Sequence, residues 1–295
     1  MIEFELEPRG PFRLASAARF IAGWLPAGQP GAAADGEAVV RLGFLVDDWS
    51  GHAGVVLRQD DADGPVRISV VESTASDPAR VRDQAARIVS LDHDGIGYAA
   101  LGEREAAIGR LQRASDWLRP VIFHSPYEAA CWAVISARIR QVAAGRVRDE
   151  LSVEHGGRVT IEGEELLTFP SPERLLAVTD VPGLSDEKVR RLHGVARAAL
   201  EGHLDRERLL ALDPDRALDE LRELRGIGPF WAEGILLRAV GTTDVLTLAE
   251  KQSRKRAAEL YGAPEIVEDD DALVALAERW RPFRTWVTVL LRAAG

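Results

Sequence analysis

The sequence predicts an α+β fold, in which a mixed N-terminal segment precedes a mostly helical remainder. In the first hundred residues, the β-branched runs VVRLGFLV, HAGVVLRQ and VRISVVE are bounded by turn residues, which is typical of strands. From about residue 104 onward, apolar residues recur at helical spacing nearly throughout. We therefore expect a mixed α/β domain at residues 1–103 and an all-helical domain at residues 104–295.

Individual elements follow from local signals. Short strands are predicted at FELEPRG and PFRL, a hairpin turn at DDADG, and a helix at PARVRDQAARIVSL. In the helical part, Ser125 as N-cap, Pro126 at the first helical position and Glu128 three residues on predict the start of one long helix that runs through RVRDEL. Ser171 and Pro172 repeat this start signal.

The composition is that of a globular protein without disulfides. Of the 295 residues, 46% are hydrophobic and 28% are charged. No apolar run approaches the roughly 20 residues that cross a bilayer, and the N-terminus lacks a signal-peptide pattern. Cys131 is the single cysteine, which excludes an internal disulfide and any four-cysteine metal or iron–sulfur site. We expect an intracellular, cytoplasmic protein with no membrane contact.

The charge balance bears on the class of partner. A net charge of -10 argues by itself against nucleic acid, because phosphate neutralisation needs a basic footprint. Basic residues nevertheless gather in RIRQVAAGRVR and KQSRKR, which is compatible with a local positive face. Ordinary solvated helix faces explain these clusters equally well.

The stretch LRGIGPFWAE predicts a tight turn between two helices within residues 218–240. Gly226 and Gly228 allow backbone angles that other residues avoid, and Pro229 suits the first position of the second helix. Such a turn leaves backbone N–H groups free at a helix N-terminus, where they form an anion site that suits a phosphate. Taken alone, the pattern favours a plain αα-hairpin, and only the surrounding sequence strengthens the phosphate interpretation.

With its surroundings, this stretch resembles the helix-hairpin-helix DNA glycosylase superfamily, in particular its alkylated-base branch, the 3-methyladenine DNA glycosylase II type. The resemblance covers nearly the whole chain, including LRPVIFHSPYEAACWAVISARIRQ and AERWRPFRTWVTVLLR, which look like the first long and the closing helices of the catalytic domain. It implies a two-lobed helical domain preceded by a small antiparallel β-sheet domain with flanking helices. It also implies that the hairpin contacts the DNA backbone through Leu224, Arg225, Gly226, Ile227 and Gly228.

The resemblance implies that Glu250 is the catalytic residue. In the family, an aspartate follows the second hairpin helix in a stretch similar to D-x-F-P-x-x-D. The corresponding stretch here is DVLTLAE, which begins with Asp244, lacks the proline and has Glu250 at the position of the catalytic aspartate. Breaking an N-glycosidic bond builds positive charge on the sugar, which a carboxylate stabilises. The extra methylene moves the carboxylate by roughly 1 Å, a misplacement that can cost about 10²-fold in rate. Three explanations stay open: the local backbone compensates for the longer side chain, the activity is weak, or another carboxylate does the work. A fourth is that Glu250 is an ordinary solvated glutamate at the start of a helix.

Matched positions suggest the base pocket. Phe230 stands where strand-cleaving relatives carry a lysine, so the resemblance implies a monofunctional hydrolase without a Schiff base. Phe230, Trp231 and Trp286 are candidate pocket walls for a flipped base, where aromatic faces would attract a cationic purine. Gly234 replaces a pocket tyrosine of some relatives. For the aromatic residues, the competing interpretation is the hydrophobic core.

Further DNA contacts are inferred from the flanking segments. In the family, an apolar wedge fills the gap left by the flipped base, and its candidates here are Leu118, Val121 and Ile122. Lys251 and Arg254 could meet phosphates near the flipped nucleotide, although a solvated helix face explains them too. We expect no metal and no required cofactor, and the resemblance leaves open a monovalent cation at the hairpin carbonyls.

The function implied is a monofunctional DNA glycosylase that flips alkylated or otherwise labile purines and hydrolyses their N-glycosidic bond in base excision repair. Its partner would be double-stranded DNA with a damaged base, and it would act as a cytoplasmic, nucleoid-associated monomer. One alternative is a lesion-sensing DNA-binding protein that has lost the usual catalytic aspartate. Another is a helical protein–protein module whose hairpin binds no DNA.

Overall fold

The computed structural model describes residues 1–24, 26 and 38–293 and confirms the α+β fold. Four antiparallel strands form one sheet in the spatial order first, fourth, third, second. In chain order they are β1 (Ile2–Leu6), β2 (Val39–Leu45), β3 (His52–Arg58) and β4 (Val66–Ser73). Helices α1 (Leu14–Gly23) and α2 (Pro78–Ile88) bury their apolar residues with the inward side chains of this sheet. We call this unit the sheet body.

The predicted strand at PFRL is wrong, because α1 begins at Leu14 and β1 ends at Leu6. Between them, Gly10 takes a left-handed backbone angle (φ 78°) that turns the chain. The carbonyls of this turn are bound by Arg119 instead of by a neighbouring strand. An alternating pattern of four residues is too short to specify a strand when the turn carbonyls find another partner.

The helices form two further units. The first packs around a core that contains Trp132, Leu192 and Ile235, and we call it the hairpin body. Its helices are α5 (Pro126–Ser136), α6 (Gln141–His155), α7 (Pro172–Leu176), α8 (Asp186–Leu200), α9 (Arg206–Ala211), α10 (Pro214–Glu223) and α11 (Pro229–Ile235). A wider π-helical turn, Leu236–Val240, continues α11.

The second helical unit joins distant parts of the chain around Tyr98, Trp280 and Trp286, and we call it the terminal body. Its helices are α3 (Gly95–Arg104), α4 (Ala106–Ala114), α12 (Lys251–Tyr261), α13 (Asp270–Ala277) and α14 (Arg284–Ala293). The domain boundary expected after residue 103 falls in the last turn of α3 and stays a prediction. None of the described helices has both the length and the apolar character needed to span a membrane.

Two predictions for the helical part need correction. The single long helix from Ser125 is two helices, α5 and α6, and Arg138 between them has a left-handed backbone angle (φ 60°). The all-helical region also contains a β-hairpin, β5 (Gly157–Ile161) with β6 (Glu164–Thr168). Its turn residues Glu162 and Gly163 both have positive φ, as a two-residue hairpin turn requires. The hairpin is stabilised by packing on the sheet body, where Val159 and Ile161 meet Val56.

Candidate active site

The helix–turn–helix segment has the tight geometry that its glycines predict. Helix α10 ends at Glu223 with Leu224 as its C-cap, and the amide of Ile227 donates to the Leu224 carbonyl at 2.9 Å. Gly226 has φ 100°, a left-handed angle that glycine adopts without strain. The Ile227 side chain is buried between the helices, so only its backbone is available to a ligand. Gly228 is the N-cap of α11, and Pro229 opens that helix.

The turn presents free donors to solvent. The amides of Gly226 and Gly228 make no hydrogen bond to any residue that the structure describes, and both glycines are exposed. Arg225 is exposed and Leu224 is half-buried at the same surface. The segment therefore has the geometry of an anion site at a helix N-terminus.

The loop from Gly241 to Glu250 is held on two sides. Asp244 forms ion pairs of 2.8 Å with Arg281 and with Arg284 in the terminal body. On the hairpin side, the Glu233 carboxylate of α11 accepts hydrogen bonds from the Thr247 hydroxyl and from the Ala249 amide. These contacts fix the chain immediately before Glu250. They also occupy the carboxylate of the neighbouring Glu233 with hydrogen bonds inside the protein.

Glu250 is the N-cap of α12 and also faces a cleft. Its Oε2 accepts a hydrogen bond of 2.6 Å from the Ser253 amide, while its Oε1 has no partner among the described residues. The cleft has a volume of about 170 Å³ and is lined by Glu250 together with Phe230, Trp231 and Gly234. Phe230 is half exposed and meets Trp231 edge-on, with ring centroids 5.5 Å apart. The predicted carboxylate and the predicted aromatic pair thus share one cleft.

The remaining lining comes from parts of the chain that sequence reasoning did not connect to the site. Trp24 follows α1, Phe123 precedes α5, and α14 contributes Arg292. Trp24 and Phe123 meet edge-on at 4.9 Å, and the Arg238 guanidinium lies 4.4 Å from the centre of the Trp24 ring. No local sequence signal identifies these residues, because only the packing of three separate segments brings them together. The other lining residues are Pro26, Leu237, Thr247, Thr288 and Val289.

Trp286 and Arg254 are not where the site prediction needs them. Trp286 is 2% exposed and packs edge-on against Tyr98 in the terminal body, so it belongs to the core and not to the pocket wall. Arg254 is 8% exposed, and its guanidinium donates to backbone carbonyls and pairs with Asp270 at 2.5 Å. Arg254 is therefore a structural residue inside the terminal body and not a phosphate contact. Lys251, by contrast, is exposed one residue after Glu250.

The three wedge candidates also need correction. Leu118, Val121 and Ile122 are all buried, with 1% exposure for Val121 and for Ile122. The Val121 carbonyl accepts hydrogen bonds from Arg238, and the Ile122 amide donates to the Ile88 carbonyl. A residue that enters the DNA stack must stand out from the surface, and these positions lie in the interior instead.

The cleft is not the largest depression in the described part of the chain. A groove of about 750 Å³ runs between α8 and α10, lined by arginines and glutamates such as Arg197 and Glu201, and it does not include Glu250. We assign the candidate active site to the smaller cleft, because there a carboxylate meets aromatic walls. Among the described residues, no group of three or more His, Cys, Asp or Glu side chains could hold a metal ion.

Comparison with known proteins gives sequence relatives and a structural neighbour. No family model matches the chain. A DNA-3-methyladenine glycosylase of Bacillus subtilis is 27% identical over 154 residues, which are 51% of this chain and 51% of that protein. A probable bifunctional transcriptional activator/DNA repair enzyme AlkA of Mycobacterium tuberculosis is 29% identical over 197 residues, 62% of this chain and 38% of that protein. The chain thus spans about half or less of the length of these curated relatives.

A solved structure shares the fold over nearly the whole chain. The 3-methyladenine DNA glycosylase from Archaeoglobus fulgidus superposes with a TM-score of 0.74 at 21% identity, covering 99% of this chain and 97% of that one. At this identity the likeness concerns the fold alone. The chain is therefore similar in sequence to DNA-3-methyladenine glycosylases over part of its length, and it shares the fold of a 3-methyladenine DNA glycosylase over nearly all of it.

Proposed function

We propose that this protein is a monofunctional DNA glycosylase, which hydrolyses the N-glycosidic bond of alkylated or otherwise labile purines flipped out of duplex DNA. The observation that carries the proposal is the shared cleft, in which the Glu250 carboxylate meets Phe230 and Trp231 directly behind a turn with free amides. The names of the sequence relatives support the same activity.

Each part of the site has a role in this proposal. The free amides of Gly226 and Gly228, with Lys251 nearby in sequence, would bind backbone phosphates without reading the bases. Phe230 and Trp231 would stack on the extruded base. The Ser253 amide holds one oxygen of Glu250, which leaves Oε1 to stabilise positive charge that develops on the sugar. Phe230 cannot form a Schiff base, so water completes the reaction and leaves an abasic site.

The test is release of free base from methylated duplex DNA by the wild type and by Glu250→Gln. We expect release by the wild type and a fall of about 10²-fold or more in the variant, because glutamine keeps the cap but loses the charge. Glu259→Gln, an exposed glutamate on the same helix, is the matched control and should keep full activity. Equal activity of Glu250→Gln and wild type would remove Glu250 from the mechanism.

A second candidate function has one observation in its favour. Glu250 caps α12, and this structural role alone can account for its presence. The protein would then sense lesions without cleaving them. Salt-dependent binding to lesion duplexes, without base release under conditions where a control glycosylase works, would support this candidate. No affinity for duplex at low salt would contradict both.

The remaining properties are part of the same proposal. We infer that the protein acts as a monomer on double-stranded DNA in the cytoplasm, at the nucleoid, and that it needs no cofactor. A monovalent cation at the hairpin carbonyls would make duplex affinity depend on K⁺ rather than on ionic strength alone. Replacing K⁺ by tetramethylammonium at constant ionic strength tests this.

A further inference from the structure

One side chain of the second hairpin helix holds the chain that leads to Glu250. This side chain is the half-buried Glu233, whose Oε2 accepts a hydrogen bond from the Thr247 hydroxyl and another, of 3.3 Å, from the Ala249 amide. Among the described residues, every hydrogen bond between α11 and residues 246–250 ends on this oxygen. We call these two hydrogen bonds the Glu233 link.

The other hydrogen bonds of this segment lead to the terminal body. The Thr285 hydroxyl of α14 binds both the amide and the carbonyl of Val245, at 3.0 and 2.9 Å. Arg254 of α12 donates to the Leu248 carbonyl at 3.2 Å. These contacts hold the chain to α12 and α14, whereas the Glu233 link holds it to the helix that carries the aromatic residues of the cleft.

The link fixes two parts of the candidate site relative to each other. Phe230 and Trp231 precede Glu233 within one turn of α11, so the aromatic pair and the link share a short helix. Ala249 directly precedes Glu250, and the place of its amide therefore sets where the Glu250 backbone stands. A shift of roughly 1 Å in a reacting group can cost about 10²-fold in rate, so this placement bears directly on the reaction.

We propose that Glu233 is a positioning residue, which holds the Glu250 carboxylate at a set distance from the aromatic pair. This inference rests on the proposed function and names the residue that aligns its carboxylate. Glu233 acts through Thr247 and Ala249 and touches neither the base nor the sugar. A carboxylate oxygen suits this role because it accepts two hydrogen bonds at once.

The test separates the placement of Glu250 from the charge of Glu233. The amide oxygen of Glu233→Gln can accept the same two hydrogen bonds, whereas Glu233→Ala loses both. In single-turnover release of base from methylated duplex DNA, Glu233→Ala should be about ten- to a hundredfold slower than the wild type, and Glu233→Gln should stay within about threefold of it. Affinity for a duplex with an abasic analogue should change by less than about twofold in both variants, because the lost interaction serves the reaction and not binding.

Thr247→Val tests the same link from its other end. The variant lacks the hydroxyl donor but keeps the bond from the Ala249 amide, so base release should slow by roughly three- to tenfold. In the Glu233→Ala background, Thr247→Val should have little further effect, because both residues act through one link. Glu259→Ala, at an exposed position of α12, is the matched control and should keep both rate and affinity. If Glu233→Ala does not fold, Thr247→Val and Glu233→Gln carry the test.

Hydrogen exchange measures the link without catalysis. The Ala249 amide donates to Glu233, and NMR can follow its exchange with solvent. Exchange should be about tenfold or more faster in Glu233→Ala than in the wild type, and nearly unchanged in Glu233→Gln, because only alanine removes the acceptor.

Several results would contradict the inference. If Glu233→Gln loses as much rate as Glu233→Ala, the charge itself takes part in the reaction and Glu233 is more than a positioning residue. An unchanged rate in Glu233→Ala, or equal losses of rate and of affinity for the abasic duplex, would also overturn it. A wild type that releases no base contradicts the proposed function instead. Exchange at Ala249 then decides on the link, and equal exchange in the wild type and in Glu233→Ala would overturn it.

Discussion

At the scale of single residues, the Glu250 carboxylate caps α12 and also lines the cleft, so the proposed function gives it two tasks. The Ser253 amide binds Oε2, and Oε1 is left for the cleft. In the proposed function, the longer side chain of glutamate would cap its own helix with one oxygen and offer the other to the sugar, where the resemblance implies an aspartate. Glu233, the nearby alternative, has its carboxylate bound by Thr247 and Ala249.

Substitutions at Glu250 should separate the two tasks. Aspartate is a preferred N-cap residue, so the free energy of unfolding of Glu250→Asp should lie within about 0.5 kcal/mol of the wild-type value. Glu250→Ala removes the cap and should lower the free energy of unfolding by about 1 kcal/mol. Both should lose base-release activity, the aspartate variant by up to about 10²-fold, because its carboxylate moves by roughly 1 Å. Urea unfolding and a base-release assay measure the two effects. Equal stability of the alanine variant and the wild type would show that the cap contributes nothing.

At the scale of elements, two glycines of the hairpin turn form a natural pair for comparison. A Cβ at Gly226 would stand 3.0 Å from the Arg191 Cδ on a backbone with φ 100°, whereas a Cβ at Gly228 would meet nothing within 4 Å. We expect Gly226→Ala to lower the free energy of unfolding by about 1–2 kcal/mol and Gly228→Ala to change it by less than about 0.5 kcal/mol. Urea unfolding of both variants tests this.

The same pair tests the proposed DNA contact. The methyl group of Gly228→Ala projects into open space beside the free amides, where a phosphate would approach. This variant should therefore bind duplex DNA about tenfold more weakly although its fold is intact, which fluorescence anisotropy can measure. Unchanged affinity would argue that the backbone phosphate is bound elsewhere.

A second element-scale prediction concerns His52, where β3 meets the β5–β6 hairpin. Its Nδ1 is 2.6 Å from the Thr168 hydroxyl, and burial, followed by the charge of Arg174, lowers the pKa of His52 below its usual 6.5. In the pH window between the folded pKa and 6.5, the unfolded chain binds more protons than the folded one, so stability rises with pH there. The contribution of neutral His52 to the free energy of unfolding is fully present above pH 6.5 and is lost as the pH falls through the lowered pKa of the folded state.

The measurement compares urea midpoints near pH 7.5 and near pH 5.5. The wild type should be less stable at the lower pH, and His52→Gln should show a smaller difference between the two. His93, whose pKa is also lowered chiefly by burial, contributes in the same direction and remains as a background in both proteins. A pH dependence that His52→Gln leaves unchanged would contradict this role of His52.

At the scale of the whole molecule, Arg119 connects segments that are far apart in sequence. It is 2% exposed and donates to carbonyls in the turn after β1 and in the loop after α2. Most of these carbonyl oxygens accept no hydrogen bond from any other described donor. Arg119→Met should therefore lower the free energy of unfolding by about 3 kcal/mol or more. Urea unfolding measures the loss, and Arg110→Met on the surface of α4 is the control. A loss below about 1 kcal/mol would mean that water satisfies the carbonyls.

The cleft itself is a property of the whole molecule. Phe230 and Trp231 come from the hairpin body, Arg292 from the terminal body, and Trp24 from the end of the sheet body's first helix. Arg238 and Arg292 lie in this cleft although the chain has a net charge of -10, because net charge does not fix where individual charges lie. The N-terminal region contributes to the site directly in this way.

The sequence by itself determined the features whose causes lie within a few residues. Strands β2, β3 and β4 follow from β-branched runs, the hairpin turn follows from Gly226 and Gly228, and the start of α5 from its cap. The predicted link between the turn and Glu250 spans only some twenty residues, so one helix and one loop are enough to bring both to the same side. These features need only backbone preferences and short connections.

Tertiary packing alone decided the rest. Whether an aromatic or a basic residue is core or surface depends on which distant helix covers it, as Trp286 and Arg254 illustrate, and the buried wedge candidates follow the same rule. The β5–β6 hairpin exists where its apolar side can pack on β3, and Trp24, Arg238 and Arg292 meet only after three bodies have assembled. Burial is a relation between segments far apart in the chain, and for that reason no local pattern of residues encodes it.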